Sequence, residues 1–117
     1  MHEAIIGILE SRGIGEAERE EFFSPKPKLT YDPFLLANMR EGVDLLLRAV
    51  DEGRKIVVYG DYDVDGITST SLMVKVLRCL TDKVSYYIPS RLEEGYGLHK
   101  DSIDAIAEQG CELLITV

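Results

Sequence analysis

Cysteine, basic residues and long apolar runs are all scarce in this chain of 117 residues, and the shortages exclude several classes of protein. The two cysteines, Cys79 and Cys111, are too few and too far apart for a zinc motif, and we interpret both as small core residues. No apolar run approaches the about 20 residues that a membrane-spanning helix needs, so no membrane partner is expected. The start, Met1-His2-Glu3, lacks the basic residues of a secretory signal, and the expected location is cytoplasmic.

The shortage of basic residues bears on possible partners. The chain has 13 basic and 21 acidic residues, which gives a net charge of −8. This balance disfavours binding to nucleic acid, because affinity for phosphates usually depends on lysine and arginine. A nucleic-acid function would therefore require either basic surface on other parts of the protein or metal ions that neutralise an acidic cleft. The hydrophobic share of 45% and the charged share of 29% are those of a globular domain with a real core.

The most informative stretch is GDYDVDG. The β-branched run before it, residues 56–59, predicts a buried strand, and residues 67–80 continue with helical spacing. Asp61, Asp63 and Asp65 should then lie on a loop at the carboxyl end of a strand, where open α/β sheets bind ligands. Three carboxylates this close repel one another unless a cation lies between them, and Mg²⁺ and Mn²⁺ suit carboxylate oxygens. Removing one carboxylate should therefore not lower stability when metal is absent.

The same stretch has two other interpretations. A solvated turn is one of them, because aspartate and glycine are common turn residues, although three acids exceed what a turn needs. A calcium-binding EF-hand loop is the other, because it also begins D-x-D-x-D-G. With Asp61 as position one, position twelve is Leu72, where the EF-hand requires a glutamate, and a strand rather than a helix precedes the loop. Both departures argue against an EF-hand.

Strands and helices alternate in the rest of the chain after a short helical arm. The arm contains two short helices within residues 3–23 and ends at SPKPK, because proline cannot continue a helix. A long helix is predicted to start at Asp32-Pro33 and to end at Gly53. The remaining predicted elements are a strand at 84–88, a helix at 101–109 and a strand at 113–117. This order predicts an α/β fold of three layers, with a parallel sheet, right-handed crossovers and flanking helices.

Apolar stripes predict the buried faces of the two long helices. The first stripe comprises Leu35, Met39, Val43, Leu46, Leu47 and Val50, and the second comprises Leu72, Met73, Val76, Leu77 and Leu80. Four hydroxyl residues, Thr68 to Ser71, are placed in the first turn of the second helix. They form either an anion site together with free backbone N–H groups or a simple cap by Thr68 or Ser69.

A second loop of interest, PSRLEEGYGL, follows the strand at 84–88. Arg91 could bind a phosphate through its planar guanidinium, and Tyr96 could stack on a base. The alternative is structural: Arg91 forms an ion pair with Glu94, and Tyr96 anchors the loop on the core. Composition alone favours the structural alternative.

Three blocks of this sequence resemble one family. GDYDVDGITS resembles the first motif of the RecJ branch of the DHH phosphoesterase superfamily, and KLTYDPFLLANM and PSRLEEGYGL resemble the same branch, in the right order within residues 22–117. The resemblance implies a two-metal phosphoesterase, with Mn²⁺ or Mg²⁺, that degrades single-stranded DNA from the 5′ end in recombination and repair. Replication or repair proteins would be further partners.

The resemblance also implies roles for individual residues. Asp63 and Asp65 match the metal-binding pair most closely, Asp61 is a weaker third match, and all three are expected to be catalytic. Relatives often place histidine two residues before the first acid, where this chain has Tyr59. The expected substrate contacts are Ser69, Arg91 and Tyr96.

The domain organisation follows from the same resemblance. Residues 1–28 are expected to form the helical arm and linker, and residues 29–117 the N-terminal part of the DHH catalytic domain. A second acidic motif and the Asp-His-His motif should come later than residue 117, so we expect a fragment that is inactive by itself, holds metal weakly and self-associates through an uncovered sheet. Two alternatives remain: a DHH phosphoesterase of oligonucleotides, cyclic dinucleotides or pyrophosphate, and a non-catalytic scaffold. The combination of GDYDVDG with EGYGL favours the nuclease branch.

Overall fold

The computed structural model describes residues 2–24 and 31–117, which divide into two compact units, Met1–Met39 and Arg40–Val117. The prolines of the predicted linker and the predicted domain boundary after residue 28 lie outside the described residues, so that boundary stays a prediction. None of the helices in the described part is long and apolar enough to cross a membrane.

The first unit contains the predicted helical arm. Helix α1 spans Glu3–Ser11 and helix α2 spans Glu16–Phe23. At the start of α2, the carboxylate of Glu18 accepts a hydrogen bond of 2.9 Å from the Gly15 N–H, which otherwise would lack a partner. An ion pair of 2.9 Å between Arg19 and Glu10 joins the two helices.

The long helix predicted to begin at Asp32-Pro33 begins later. Asp32 does act as an N-cap, with its carboxylate 2.9 Å from the Phe34 N–H, but it caps only a short 3₁₀ helix, Pro33–Leu35. Asn38 then adopts a φ of 61°, a left-handed conformation that interrupts a right-handed helix. Helix α3 consequently spans Met39–Asp51. Its end is as predicted, because Gly53 adopts a φ of 64° just beyond the last turn.

The second unit contains a parallel sheet with the strand order β2-β1-β3. Its strands are β1 (Ile56–Tyr59), β2 (Val84–Tyr87) and β3 (Leu113–Thr116). Helix α4 (Val64–Arg78) connects β1 to β2, and helix α5 (Lys100–Glu108) connects β2 to β3. This arrangement confirms the predicted parallel α/β fold and makes β1 the central strand.

The core lies on both faces of β1, because alternate residues of a strand point to opposite sides. Ile56 and Val58 are fully buried on one face, in a cluster that includes Ala49 of α3 and residues of α4. Val57 and Tyr59 are buried on the other face with Ile106 of α5. Helices therefore cover both faces of the sheet, and the predicted three layers are confirmed.

The buried face of α4 differs from the predicted one. Leu72, Val76 and Leu80 were expected to point inward but are 66%, 52% and 52% exposed. The buried residues of this helix are Gly66, Thr70, Val74 and Leu77. These residues are spaced four, four and three apart, and two of them are small, so they form a narrow stripe that lets the helix approach the sheet closely.

Two residues predicted on the buried face of the first long helix are also exposed. Leu35 precedes α3, because the helix starts four residues later. Leu47 lies on the outer side of α3, and the smaller Ala49 takes the buried position that faces the sheet. Leu46 and Val50 pack against the core as expected.

Candidate metal and phosphate site

The acidic stretch connects the carboxyl end of the central strand to α4. Because α4 begins at Val64, three residues before the predicted start, the three aspartates do not all lie on the loop. Asp61 is in the loop, Asp63 is the N-cap and Asp65 is in the first turn of the helix. Free N–H groups and the helix dipole make this terminus a favourable place for negative charge. The N-terminus of α4 thus stabilises part of the negative charge of these aspartates without a cation.

Each carboxylate keeps oxygen atoms free for a further ligand. One oxygen of Asp61 accepts from the Tyr62 N–H at 2.7 Å, and one oxygen of Asp63 accepts from the Gly66 N–H at 2.8 Å. Within the described part of the chain, the second oxygen of each and the whole carboxylate of Asp65 have no hydrogen-bond partner. Asp63 and Asp65 are exposed and Asp61 is half-buried, so these oxygens are accessible.

The aspartates do not form a complete metal cage. Among residues 2–24 and 31–117, no three histidine, cysteine, aspartate or glutamate side chains converge as metal ligands do. This agrees with the expectation that the aspartates supply only part of a metal site, although it does not test their roles. Their hard oxygen donors nevertheless fit Mn²⁺ or Mg²⁺ chemically, and ions of this kind usually keep waters or take further ligands. The roles of Asp61, Asp63 and Asp65 stay predictions.

Two glycines that received no role from the sequence determine how the turn packs. A Cβ atom on Gly66 would lie 2.4–2.7 Å from backbone atoms of Asp61, and a Cβ atom on Gly60 would lie 1.9 Å from Oγ1 of Thr70. Both distances are far below van der Waals contact, so the strand-end turn rests directly on the first two turns of α4. Gly66 directly follows the third aspartate, where the predicted loop meets the predicted helix, and a glycine at such a junction is the signal that could have indicated this close approach.

The hydroxyl residues of α4 do not cap the helix, and the predicted alternative of capping by Thr68 or Ser69 is wrong. The Thr68 hydroxyl donates to the Val64 carbonyl at 2.7 Å, and the Ser69 hydroxyl donates to the Asp65 carbonyl, one turn back. These residues lie in the second turn because the helix starts early. Ser69 stays a predicted substrate contact, and its proton is engaged with the backbone.

Tyr59, two residues before the first aspartate, has a structural contact. Its side chain is buried, and its hydroxyl donates to the Gly97 carbonyl at 3.3 Å. Its ring also lies 5.2 Å from the ring of Tyr87 on the neighbouring strand. Tyr59 therefore connects the central strand to the PSRLEEGYGL loop.

Glu94 anchors the PSRLEEGYGL loop and does not form the predicted ion pair with Arg91. Its carboxylate accepts from the Tyr87 hydroxyl at 2.7 Å, from the Ser90 N–H at 2.8 Å and from the Ser102 hydroxyl. These donors belong to β2, to the loop itself and to α5. No ion pair joins Glu94 to Arg91 in the described residues, so the predicted alternative is wrong.

The hydrogen bonds of Glu94 make its contribution to stability depend on pH. The Ser102 hydroxyl first, then the Ser90 N–H and the Tyr87 hydroxyl, hold the pKa of Glu94 below its ordinary value of 4.5. A lowered folded-state pKa means that the ionised form stabilises the fold above pH 4.5. This stabilisation is lost as the pH falls through 4.5 and then through the lower pKa of the folded state.

We expect the difference in stability between the wild type and Glu94→Gln to become smaller as the pH falls. At pH 7 the variant should melt at a lower temperature than the wild type. The reason is that a neutral glutamine side chain cannot replace the charged carboxylate that accepts the three hydrogen bonds. Below pH 4.5 the two melting temperatures should converge. Glu93→Gln is the matched control, since Glu93 is exposed and has no hydrogen bond in the described structure. A difference between wild type and Glu94→Gln that stays constant from pH 7 to pH 3 would contradict this account.

Arg91 and Tyr96 are both accessible to a ligand. The Arg91 guanidinium carbon lies 5.3 Å from the centre of the Tyr62 ring, and no hydrogen bond or ion pair of Arg91 occurs among the described residues. Tyr96 is 78% exposed and so does not anchor the loop in the core. It lines a shallow pocket of about 160 Å³ beside Asp61 and Thr116, at the carboxyl ends of β1 and β3. Parallel strands bind ligands at this edge of a sheet.

The parallel sheet has an acidic turn after its central strand and an arginine-bearing loop after β2, which is the arrangement of an α/β domain that binds its ligand at the carboxyl ends of its strands. The chain belongs to the DHH family: the family model described as "DHH family, N-terminal domain" matches residues 55–117. The match confirms the resemblance that GDYDVDGITS predicts.

Particular relatives narrow the similarity to one branch. The chain is 41% identical over 114 residues to the single-stranded-DNA-specific exonuclease RecJ of Bacillus subtilis (strain 168), across 97% of this chain and 14% of the relative. It is 38% identical over 108 residues to the same enzyme of Escherichia coli (strain K12), across 92% of this chain and 18% of the relative. The chain thus spans less than a fifth of the length of either relative.

Solved structures agree with these relatives. A crystal structure of exonuclease RecJ bound to manganese superimposes with a TM-score of 0.65 at 40% identity, across 70% of this chain and 21% of that one. RecJ in complex with Mn²⁺ from Thermus thermophilus gives a TM-score of 0.61 at 30% identity, across 93% and 14% of the two chains. The fold and the branch predicted from the sequence are therefore confirmed.

Proposed function

We propose that this chain supplies the first metal-binding segment and a phosphate-binding loop of a metal-dependent exonuclease that degrades single-stranded DNA from the 5′ end, in recombination and repair. The observation that carries the proposal is the juxtaposition at one sheet edge of two motifs. Unpaired aspartate oxygens follow β1, and an arginine without a carboxylate partner in the described structure follows β2. Because the chain spans less than a fifth of its relatives, the remaining ligands and substrate contacts would come from other sequence.

The aspartates are suited to hold Mn²⁺ or Mg²⁺. Asp63 and Asp65 would provide exposed carboxylate oxygens, and Asp61 would provide one from the half-buried turn. When bound, divalent ions supply Lewis-acid stabilisation of the charge that develops on phosphoryl oxygens. The protein's own contribution is rigidity: the Asp63 cap and the contact of Gly66 with the Asp61 backbone fix the turn before any ion arrives.

Arg91 would bind a phosphate of the single strand. Its only described partner is the face of an aromatic ring, so all five guanidinium N–H donors remain available. In a chain of net charge −8, an arginine that forms no ion pair in the described structure is a local site for an anion. Tyr96, exposed beside the same edge, would offer its ring to a base.

We expect Arg91→Gln in the complete protein to weaken binding of a single-stranded oligonucleotide and to reduce its dependence on salt. Loss of one phosphate contact should lower the slope of log K against log salt concentration by about 0.7. The measurement is a set of titrations between low and moderate salt. Arg78→Gln is the control, since Arg78 lies on the outer flank of α4 among the lining residues of a different groove. An unchanged slope for Arg91→Gln, or an equal change for both variants, would contradict the assignment.

A substrate panel tests the proposed function itself. The complete protein should be incubated with Mn²⁺ in a series of separate reactions, each with one substrate. The substrates are single-stranded DNA, double-stranded DNA, a dinucleotide, a cyclic dinucleotide and pyrophosphate. Release of nucleotides from the 5′ end of single-stranded DNA alone is the expected result. Hydrolysis confined to the small molecules would indicate a small-molecule phosphoesterase of the same family, and binding of DNA without hydrolysis would indicate a scaffold.

A further inference from the structure

One contact joins the two loops of the proposed site. The ring of Tyr62, in the turn after β1, lies 5.3 Å from the Arg91 guanidinium in the loop after β2. A cation at this distance over an aromatic face is attracted by the ring quadrupole. This contact occupies none of the guanidinium N–H donors in a hydrogen bond, so they stay free for a ligand.

Both partners of this contact are attached to rigid parts of the fold. The Tyr62 N–H donates to the Asp61 carboxylate at 2.7 Å, and the Asp61 backbone packs directly against Gly66 of α4. Arg91 lies within a turn that is closed by the bond from the Glu94 N–H to the Ser90 carbonyl, 2.9 Å. The backbone that carries each of these two side chains is therefore held by contacts of its own turn.

We propose that Tyr62 is a positioning residue for Arg91: its ring holds the guanidinium beside the acidic turn, in the orientation that binds a phosphate of the single strand. This inference rests on the proposed function and deepens it by naming a residue that acts through another. Without the ring, Arg91 is an exposed, flexible side chain that must be ordered each time a phosphate binds. The hydroxyl of Tyr62 has no hydrogen bond among the described residues, so the ring alone should suffice.

The test is a double-mutant cycle in the complete protein. Affinity for an uncleavable phosphorothioate single strand is measured for the wild type, Tyr62→Leu, Arg91→Gln and the double variant. Tyr62→Leu should weaken binding about two- to fivefold in the wild-type background, as expected for an exposed cation–π contact, and should have no further effect in the Arg91→Gln background. Tyr62→Phe keeps the ring and should bind like the wild type. Tyr62→Met is measured in parallel, so that one variant without a ring is available if Tyr62→Leu fails to fold.

Two results would overturn the inference while leaving the proposed function intact. If loss of the ring weakens binding equally with and without Arg91, then Tyr62 contacts the substrate by itself. If loss of the ring has no effect while Arg91→Gln weakens binding, then the ring does not position the arginine. By contrast, a wild-type protein that neither binds nor degrades single-stranded DNA would remove the proposed function, and the inference with it.

Discussion

Gly66→Ala should destabilise this protein by about 2 kcal/mol or more, although alanine is the better helix former. The added methyl group would lie 2.4–2.7 Å from backbone atoms of Asp61, and a backbone cannot rotate away as the end of a side chain can. Either the turn moves off the helix, or α4 tilts away from the sheet. Denaturant unfolding of wild type and variant, analysed at constant m-value, measures the loss directly.

Gly42→Ala is a matched control for this effect. Gly42 lies near the start of α3, as Gly66 lies near the start of α4, but nothing approaches within 4 Å of the Cβ position. Alanine should therefore stabilise the protein there by about 0.5–1 kcal/mol. If the two variants had similar stabilities, the turn would not rest on the helix in the way the structure shows.

Asp63→Asn and Asp65→Asn should each lower turnover of single-stranded DNA by the complete protein by about 10³-fold or more, if these carboxylates hold the metal that the chemistry requires. Asparagine is a better test substitution than alanine at residue 63, because the Asp63 carboxylate caps α4 by accepting from the Gly66 N–H. Asparagine caps a helix about as well as aspartate, whereas alanine would cost about 1 kcal/mol of stability. The sequence-based expectation that Asp63→Ala costs no stability without metal did not include this cap, which alanine would remove.

The control for these variants is the exposed Asp104. It is paired with Lys100 on the outer side of α5, away from the acidic turn, and Asp104→Asn should leave turnover close to that of the wild type. All variants should first be compared with the wild type in thermal melts with a chelator present. Near-normal turnover by both Asp63→Asn and Asp65→Asn would remove these residues from the site.

The fold could be predicted largely because its sequence signals are local. The β-branched run before GDYDVDG predicts a buried central strand, and all four residues of β1 are buried. The buried face of α4 was harder to predict from the sequence. Two stripes overlap in this segment, one ending in Leu77 and the other in Leu80. The choice between them depends on how the helix rotates on the sheet, and the close approach of Gly66 to the Asp61 backbone is not contained in the apolar pattern.

The site was predicted at the level of motifs and not of contacts. Asp63 was predicted as a possible ligand, but its role as the N-cap depends on where the helix starts. An ion pair of Glu94 with Arg91 was one of two alternatives from the sequence, whereas the donors to Glu94 come from β2, the loop and α5. The contact of Arg91 with Tyr62 joins residues 29 positions apart, and no local pattern indicates it.

Titration of the chain with Mn²⁺, followed by broadening of its backbone amide signals, tests most directly whether the acidic turn is a metal site. The amides of residues 61–67 should broaden at the lowest Mn²⁺ concentrations, and Asp63→Asn combined with Asp65→Asn should remove this preference. Helix α2 is an internal control, because its four glutamates attract cations without the arrangement of the turn. Broadening of α2 at the same concentrations as residues 61–67, or unchanged broadening in the double variant, would contradict the assignment.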